Sequence, residues 1–183
     1  ARGAWGTINI NNSGKAVLNE VQIQHGSSGA LNVNGELTLS NSEIANNTVG
    51  IRANSGGELT LSTVTITGAT TGLQIDSAAE SVLLDGVTIT ATEWPIRDGS
   101  LKALHVTGTQ VIENNDHNGI RVTINSISNG DFALPTLPAP YVFVSNFTVN
   151  STASLTIHRE NIVKIDRLRS FNIQGALIAD GED

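Results

Sequence analysis

Cysteine and methionine are both missing from these 183 residues. Without cysteine there is no disulfide, no thiolate metal site and no cysteine nucleophile. Aromatic residues make up only 4% and charged residues only 15%, so neither a bulky aromatic core nor a dense ion-pair surface is available. The net charge of −7 and the lack of any basic cluster with interleaved aromatics argue against a nucleic-acid partner. No apolar run in this sequence approaches a membrane span, and none of it is expected to be a signal peptide. No window sustains a 3.6-residue apolar period, so little helix is expected. The lack of methionine even at position 1 suggests a mature or excised segment, and the cysteine-free, hydroxyl- and amide-rich composition suits an exported protein.

What the chain does contain is repetition. An eight-residue frame (apolar, any, apolar, two polar or small, small or apolar, any, apolar) occurs five times, as Ala16–Ile23, Leu37–Ile44, Leu59–Ile66, Val82–Ile89 and Leu104–Val111. The second apolar residues, Leu18, Leu39, Leu61, Leu84 and Val106, recur about every 22 residues. Side chains on a straight strand alternate faces, so Leu59 and Leu61 would point opposite to Val64 and Ile66. A corner at Ser62-Thr63 lets all four face one interior. The equivalent residues, Asn19-Glu20, Ser40-Asn41, Asp85-Gly86 and Thr107-Gly108, are turn formers or small polar groups.

A third apolar pair recurs once per period: Ile8 and Ile10, Leu31 and Val33, Ile51 and Ala53, Leu73 and Ile75, Ile120 and Val122. In the fifth coil the pair is Ile96 and Asp98, which puts a carboxylate at an inward position. The middle residues, Asn9, Asn32, Arg52, Gln74, Arg97 and Arg121, should form an outward polar ladder. Three strands per 22 residues describe an all-β, three-sided parallel solenoid, expected as a right-handed parallel β-helix of roughly seven coils.

The rhythm fades after Val122, and three of the four prolines fall between Ala133 and Pro140. Proline cannot donate to a stacked strand. The expected organisation is a main stack over residues 1–132, a Pro-rich crossing loop over 133–140, and further coils over 141–183 that continue or pair with the stack.

The tail carries a more specific pattern: Tyr141-Val142, Phe147-Thr148-Val149, Ser154-Leu155-Thr156-Ile157, Ile162-Val163-Lys164-Ile165 and Gln174-Gly175-Ala176-Leu177-Ile178-Ala179-Asp180-Gly181. It resembles the opening of pectate-lyase-like parallel β-helix modules of bacterial secreted and cell-surface proteins. One departure is His158-Arg159-Glu160-Asn161, where those modules have a Glu-Pro-Gly corner. A Trp-Gly-x-Ile strand follows in such modules, and here Trp5-Gly6-Thr7-Ile8 stands at the other end of the chain. The resemblance therefore implies a circularly shifted module. Its last coil (Phe171, Ile173, Leu177, Ile178) would stack on the first coil (Trp5, Gly6, Ile8, Ile10) of another copy.

Chemistry is less legible. Polysaccharide cleavage would need paired carboxylates on one face, or a Ca²⁺-binding carboxylate cluster beside a base. The densest ionisable group is Glu93, Arg97, Asp98, Glu113, Asp116, His117 and Arg121, with Asp98, Asp116, His117, Arg97 and Arg121 as the catalytic candidates. For Asp98, the turn-like Asp98-Gly99-Ser100 favours a bulge that swings the carboxylate outward; pairing with Arg97 or Arg121 is the alternative. Trp94 could stack on a sugar ring, or simply fill a corner before Pro95. Thr65 and Thr88 begin a threonine ladder, but the equivalents Gln22, Glu43 and Gln110 make it only two coils deep. His25, His105 and His158 lack metal-ligand spacing, and no cofactor is implied. The expected function is a structural or adhesive extracellular module at the cell surface that associates with copies of itself. The alternatives are a polysaccharide lyase or hydrolase and a binder of cell-surface glycans.

Overall fold

The computed structural model describes residues 4–180. Among them the chain forms twenty strands and no helix, and every strand pairing is parallel. Numbered in chain order, eight strands stack into the first sheet: β1 (Ile8–Ile10), β4 (Leu31–Val33), β6 (Val49–Ala53), β8 (Thr71–Ile75), β11 (Trp94–Asp98), β14 (Ile120–Val122), β16 (Tyr141–Phe143) and β18 (Val163–Ile165). Eight coils at ~4.8 Å per coil give a stack roughly 34 Å tall. The coil count is one above the sequence expectation.

A second sheet holds β2 (Lys15–Asn19), β3 (Gln22–Gln24), β5 (Glu36–Ala45), β7 (Glu58–Thr67), β9 (Ser81–Asp85), β10 (Thr88–Thr90), β12 (Leu104–Thr107) and β13 (Val111–Ile112). The third holds β15 (Ser126–Ala133), β17 (Phe147–His158), β19 (Phe171–Ile173) and β20 (Ala176–Asp180). Across the seam of the chain, β16 lies in register on β14, with Tyr141 beside Ile120 and Phe143 beside Val122. The polar stretch where the apolar rhythm fades is itself part of a strand, β15, bonded along β17. Its residues Asn129, Gly130 and Asp131 are exposed, so the strand has no apolar alternation to betray it. The Pro-rich stretch then lies outside the strands and tucks Leu134, Leu137 and Ala139 into the core, with the Tyr141 hydroxyl donating to the Pro135 carbonyl (2.7 Å).

The expected corners are present. Leu18, Leu39, Leu61, Leu84 and Val106 stand in register, and the second corner residue of each coil (Glu20, Asn41, Thr63, Gly86, Gly108) has a positive φ between 49° and 64°. That left-handed residue turns β5 and β7 without ending them, so Leu37, Leu39 and Ile44 all reach one core. A second left-handed column, His25, Asn46, Gly68, Ala91 and Asn114, turns each coil toward the first sheet. Beside it, Asn47 is fully buried: its Oδ1 accepts from the Gly26 N–H (2.6 Å) and its amide donates to the carbonyls of Ile23 and Ala45. Asn115 repeats this clamp on Thr92, Ile89 and Glu113. Each clamp fastens a turn to the coil before it with bonds the ladder cannot supply.

In the fifth coil the frame slips by one residue. Thr88 is beside Val111 and Ile89 beside Ile112, so the buried apolar residue is Ile112 and Val111 is exposed. One extra residue after Thr107-Gly108 causes the slip. Gln110 thereby falls in the buried column and accepts from the Val87 N–H (2.7 Å), as Ser42 does from Val21. The threonine ladder therefore ends at Val111 rather than Gln110, still two coils deep.

Candidate functional site

The outward ladder of the first sheet forms as its spacing predicts, running Asn9, Asn32, Arg52, Gln74, Arg97 and Arg121, then Val142 and Lys164. Arg97 and Arg121 are direct cross-strand neighbours. Like charges placed so are mutually repulsive, and among the described residues no carboxylate forms an ion pair with either. Lys15 pairs with Glu36 (2.6 Å) in the second sheet, away from this face. The Nε atoms of Arg52 and Arg121 are buried without an acceptor.

Three elements bring Trp94, His117 and Arg121 to the same place. β11 begins with half-buried Trp94. The turn after β13 carries His117, held by its backbone N–H to the Glu93 carbonyl (3.0 Å). The rings of Trp94 and His117 stack at 4.3 Å and 22°, and the Arg121 guanidinium carbon lies 5.4 Å from the Trp94 ring centroid. A cation over an indole face gains about 0.5–1 kcal/mol at an exposed site. Trp94 thus fixes both Arg121 and the exposed His117, a role more specific than filling a corner. Neither the stack nor the cation contact was legible in the sequence, since 23 residues and a register separate Trp94 from His117. Beside Arg97 opens a cleft of about 410 Å³, lined by Gln74, Ser77, Thr123 and Asn125 among others.

Asp98 is not part of this surface. It sits in unbroken register between Ile75 and Val122, with its side chain buried in the core. The bulge expected there is absent, and neither arginine pairs with it. Its Oδ1 instead accepts the N–H groups of Ser100 (2.8 Å) and Leu101 (3.1 Å), while Oδ2 has no partner. The turn Asp98-Gly99-Ser100 is real, but it folds onto an inward carboxylate. Burial raises the Asp98 pKa above the ordinary carboxylate value, and the two backbone bonds only partly oppose this. Burial also raises the pKa of Tyr141, helped by the negative charge of Asp98.

Of the catalytic candidates, Arg97, Arg121 and His117 therefore share the outer face, while Asp98 is separated from them by the sheet. Asp116 is exposed, with its backbone bonded to the Thr92 carbonyl (2.9 Å). Among the described residues no three His, Asp or Glu side chains converge to hold a metal. Cations beside an aromatic stack and a polar cleft can hold an anion; the cleft also carries one exposed carboxylate, Asp76, whose Oδ1 accepts the Ala78 N–H (3.1 Å). Compared with known proteins, the chain matches no family model, no curated protein and no solved structure.

At the ends of the stack, Trp5 bridges to Gly26 and its indole N–H donates to the Gln24 carbonyl (2.6 Å). Ile10 is already buried, whereas Gly6 and Ile8 are exposed. In the last coil, Phe171 packs against Phe143 and Phe147, with ring centroids 5.1 and 5.0 Å apart. Leu177 lies beside core residue Leu155; Ile178 lies beside half-buried Thr156 and so points to the other face.

Proposed function

We propose that this chain is a structural or adhesive module, extracellular and displayed at a cell surface, that extends by stacking head to tail with copies of itself. The copies are subunits of a fibre or modules of a tandem array, as the resemblance to bacterial β-helix modules implies. The observation that carries this reading is the match between the two ends. Among the described residues, β18, β19 and β20 at one end each pair on one side only, and at the other β1, β2 and β3 do the same. Both sets run in the same order, a strand of the first sheet followed by two strands flanking a corner. Setting one end on the other continues all three ladders and leaves no open edge between copies.

The side chains agree with the backbone. Ile165 (46% exposed), Ile173 (41%) and Leu177 (43%) lie beside buried core residues Phe143, Val149 and Leu155. Next to them Leu168 is 90% exposed. At the opposite end Ile8 is 44% exposed. A heterologous contact of this kind propagates as a fibre when its rotation does not close.

The test uses Ile173→Asp and Leu177→Asp. Both positions are exposed in the isolated chain, so each variant should keep its fold by circular dichroism yet lose association in sedimentation velocity. Association unchanged by either substitution would refute the end-to-end contact.

A further inference from the structure

The Arg97–Arg121 face presents a physical problem that end-to-end stacking leaves unsolved. A chain of net charge −7 has ten cationic side chains, and four of them (Arg52, Arg97, Arg121 and Lys164) stand in one outward column. The chain has seventeen acidic residues, yet among the described residues none is ion-paired with Arg97 or Arg121. Arg97 and Arg121 are cross-strand neighbours, and Trp94, itself stacked on His117, lies under the Arg121 guanidinium. Ordered, unneutralised arginines are poised for a ligand that brings its own negative charge.

We propose that Arg97, Arg121, the exposed ring of His117 and the adjoining cleft bind an acidic glycan chain, with Trp94 as the positioning residue. The chemistry of the surroundings sets the class of ligand. Gln74, Ser77, Thr123 and Asn125 supply neutral amide and hydroxyl groups suited to sugar hydroxyls, and the Asp76 carboxylate in the same cleft, turned to its own backbone at Ala78, can accept from a sugar hydroxyl while the arginines take the acidic groups. The arginines take carboxylate or sulfate oxygens, and an imidazole face packs against a ring. The ladder is straight, with successive positions one coil (~4.8 Å) apart, so it suits an extended polymer better than a compact ligand. A nucleic acid fits poorly, because its dense phosphate charge would meet a protein with an overall excess of carboxylates. The site lies on the side of the stack, so it does not depend on the end-to-end reading.

Isothermal titration of the 183-residue chain tests this with four probes: an oligogalacturonate, a sulfated oligosaccharide, a neutral cello-oligosaccharide and a single-stranded DNA of matched charge. The site predicts binding of one or both acidic oligosaccharides, with the responding arm identifying carboxylate or sulfate as the recognised group. It also predicts no binding of the neutral probe and weaker binding of DNA. Arg97→Gln and Arg121→Gln should each weaken binding about tenfold, whereas Lys102→Gln, the same charge change outside the ladder, should leave it unchanged. For Trp94, the indole N–H resonance should shift on titration while that of Trp5 stays still. Trp94→Phe, which keeps an aromatic ring under Arg121, should retain more affinity than Trp94→Ala. The proposal fails if neither acidic probe binds, or if the neutral probe or DNA binds as tightly as they do. It also fails if the Arg97→Gln/Arg121→Gln double variant binds like the parent, or if Trp5 rather than Trp94 responds.

Discussion

The middle and the ends of the stack are built from the same kinds of residue in the same columns, yet they are not in the same state. Ile51 in a middle coil is fully buried; Ile8, two strands earlier in that column, is substantially exposed. Val149 is fully buried and Ile173 directly beside it is not. Leu37 and Leu39 are sealed, whereas Ala16 and Leu18 one coil earlier are only half covered. The difference owes nothing to residue type or local conformation. It arises because an internal coil is covered on both sides and a terminal coil on one. Burial in a solenoid is a property of neighbours, so the sequence can write a core residue that only a further coil would make into core.

The sharpest way to test that contrast is to delete the same apolar bulk in both places. Leu39→Ala should destabilise the chain by about 2–5 kcal/mol, because it leaves a cavity between two packed coils. Ile173→Ala, in a terminal coil, should cost well under half as much in the dissociated chain, as measured by denaturant unfolding. Equal losses would mean that the terminal coil is already as tightly packed as the middle.

Asp98 breaks the contrast from inside, being the polar member of an otherwise apolar buried column. Its folded pKa is raised above the unfolded value, so the native state holds the proton more tightly. The contribution of Asp98 to stability should be greatest at acidic pH, fall as pH rises from the ordinary carboxylate pKa through the raised native value, and level off above it. Asp98→Asn keeps an oxygen for the Ser100 and Leu101 N–H groups and removes the charge. It should raise the melting temperature at neutral pH, with the two proteins converging near pH 3. A stability difference between parent and Asp98→Asn that does not change with pH would show that Asp98 is not a buried acid. Asp98→Ala leaves both N–H groups unpaired and should be less stable than Asp98→Asn.

Corners provide a finer comparison. Thr63 (φ 55°) and Gly86 (φ 64°) occupy the same column one coil apart. A β-branched residue is strained at such φ, whereas glycine is at ease there. A Cβ on Gly86 would meet nothing closer than 3.9 Å, so Gly86→Thr isolates the backbone strain. Thr63→Gly should stabilise and Gly86→Thr destabilise, each by about 1 kcal/mol in thermal unfolding. The smallest effect belongs to Lys15→Gln. It removes the exposed pair with Glu36 and should change stability by less than about 1 kcal/mol, with any loss fading in high salt.

Much of the fold was legible because a repeat fixes register. The 22-residue spacing put Leu18 through Val106 in one column, and the polar dipeptides marked the corners that the left-handed residues make. The strand at Ser126–Ala133 was hidden because its exposed Asn129-Gly130-Asp131 segment carries no apolar pattern, and its pairing with β17 comes from the coil above. The slip at Gln110 could not be foreseen from spacing, since Val111 and Ile112 both satisfy the frame. For the site, the ladder that sets Arg97 beside Arg121 followed from register alone, whereas the Trp94–His117 stack needed the path of a turn. Asp98 was misjudged because an alternation pattern shows the cost of a buried carboxylate but not the two N–H groups that its own turn aims back at it.

Sedimentation velocity across a wide concentration range tests the central claim most directly, comparing the parent with Ile173→Asp. Head-to-tail stacking predicts that the parent's sedimentation coefficient climbs steadily with concentration toward elongated species, while the variant stays a monomer. A parent that remains monomeric to its solubility limit, or a variant that assembles equally well, would contradict it.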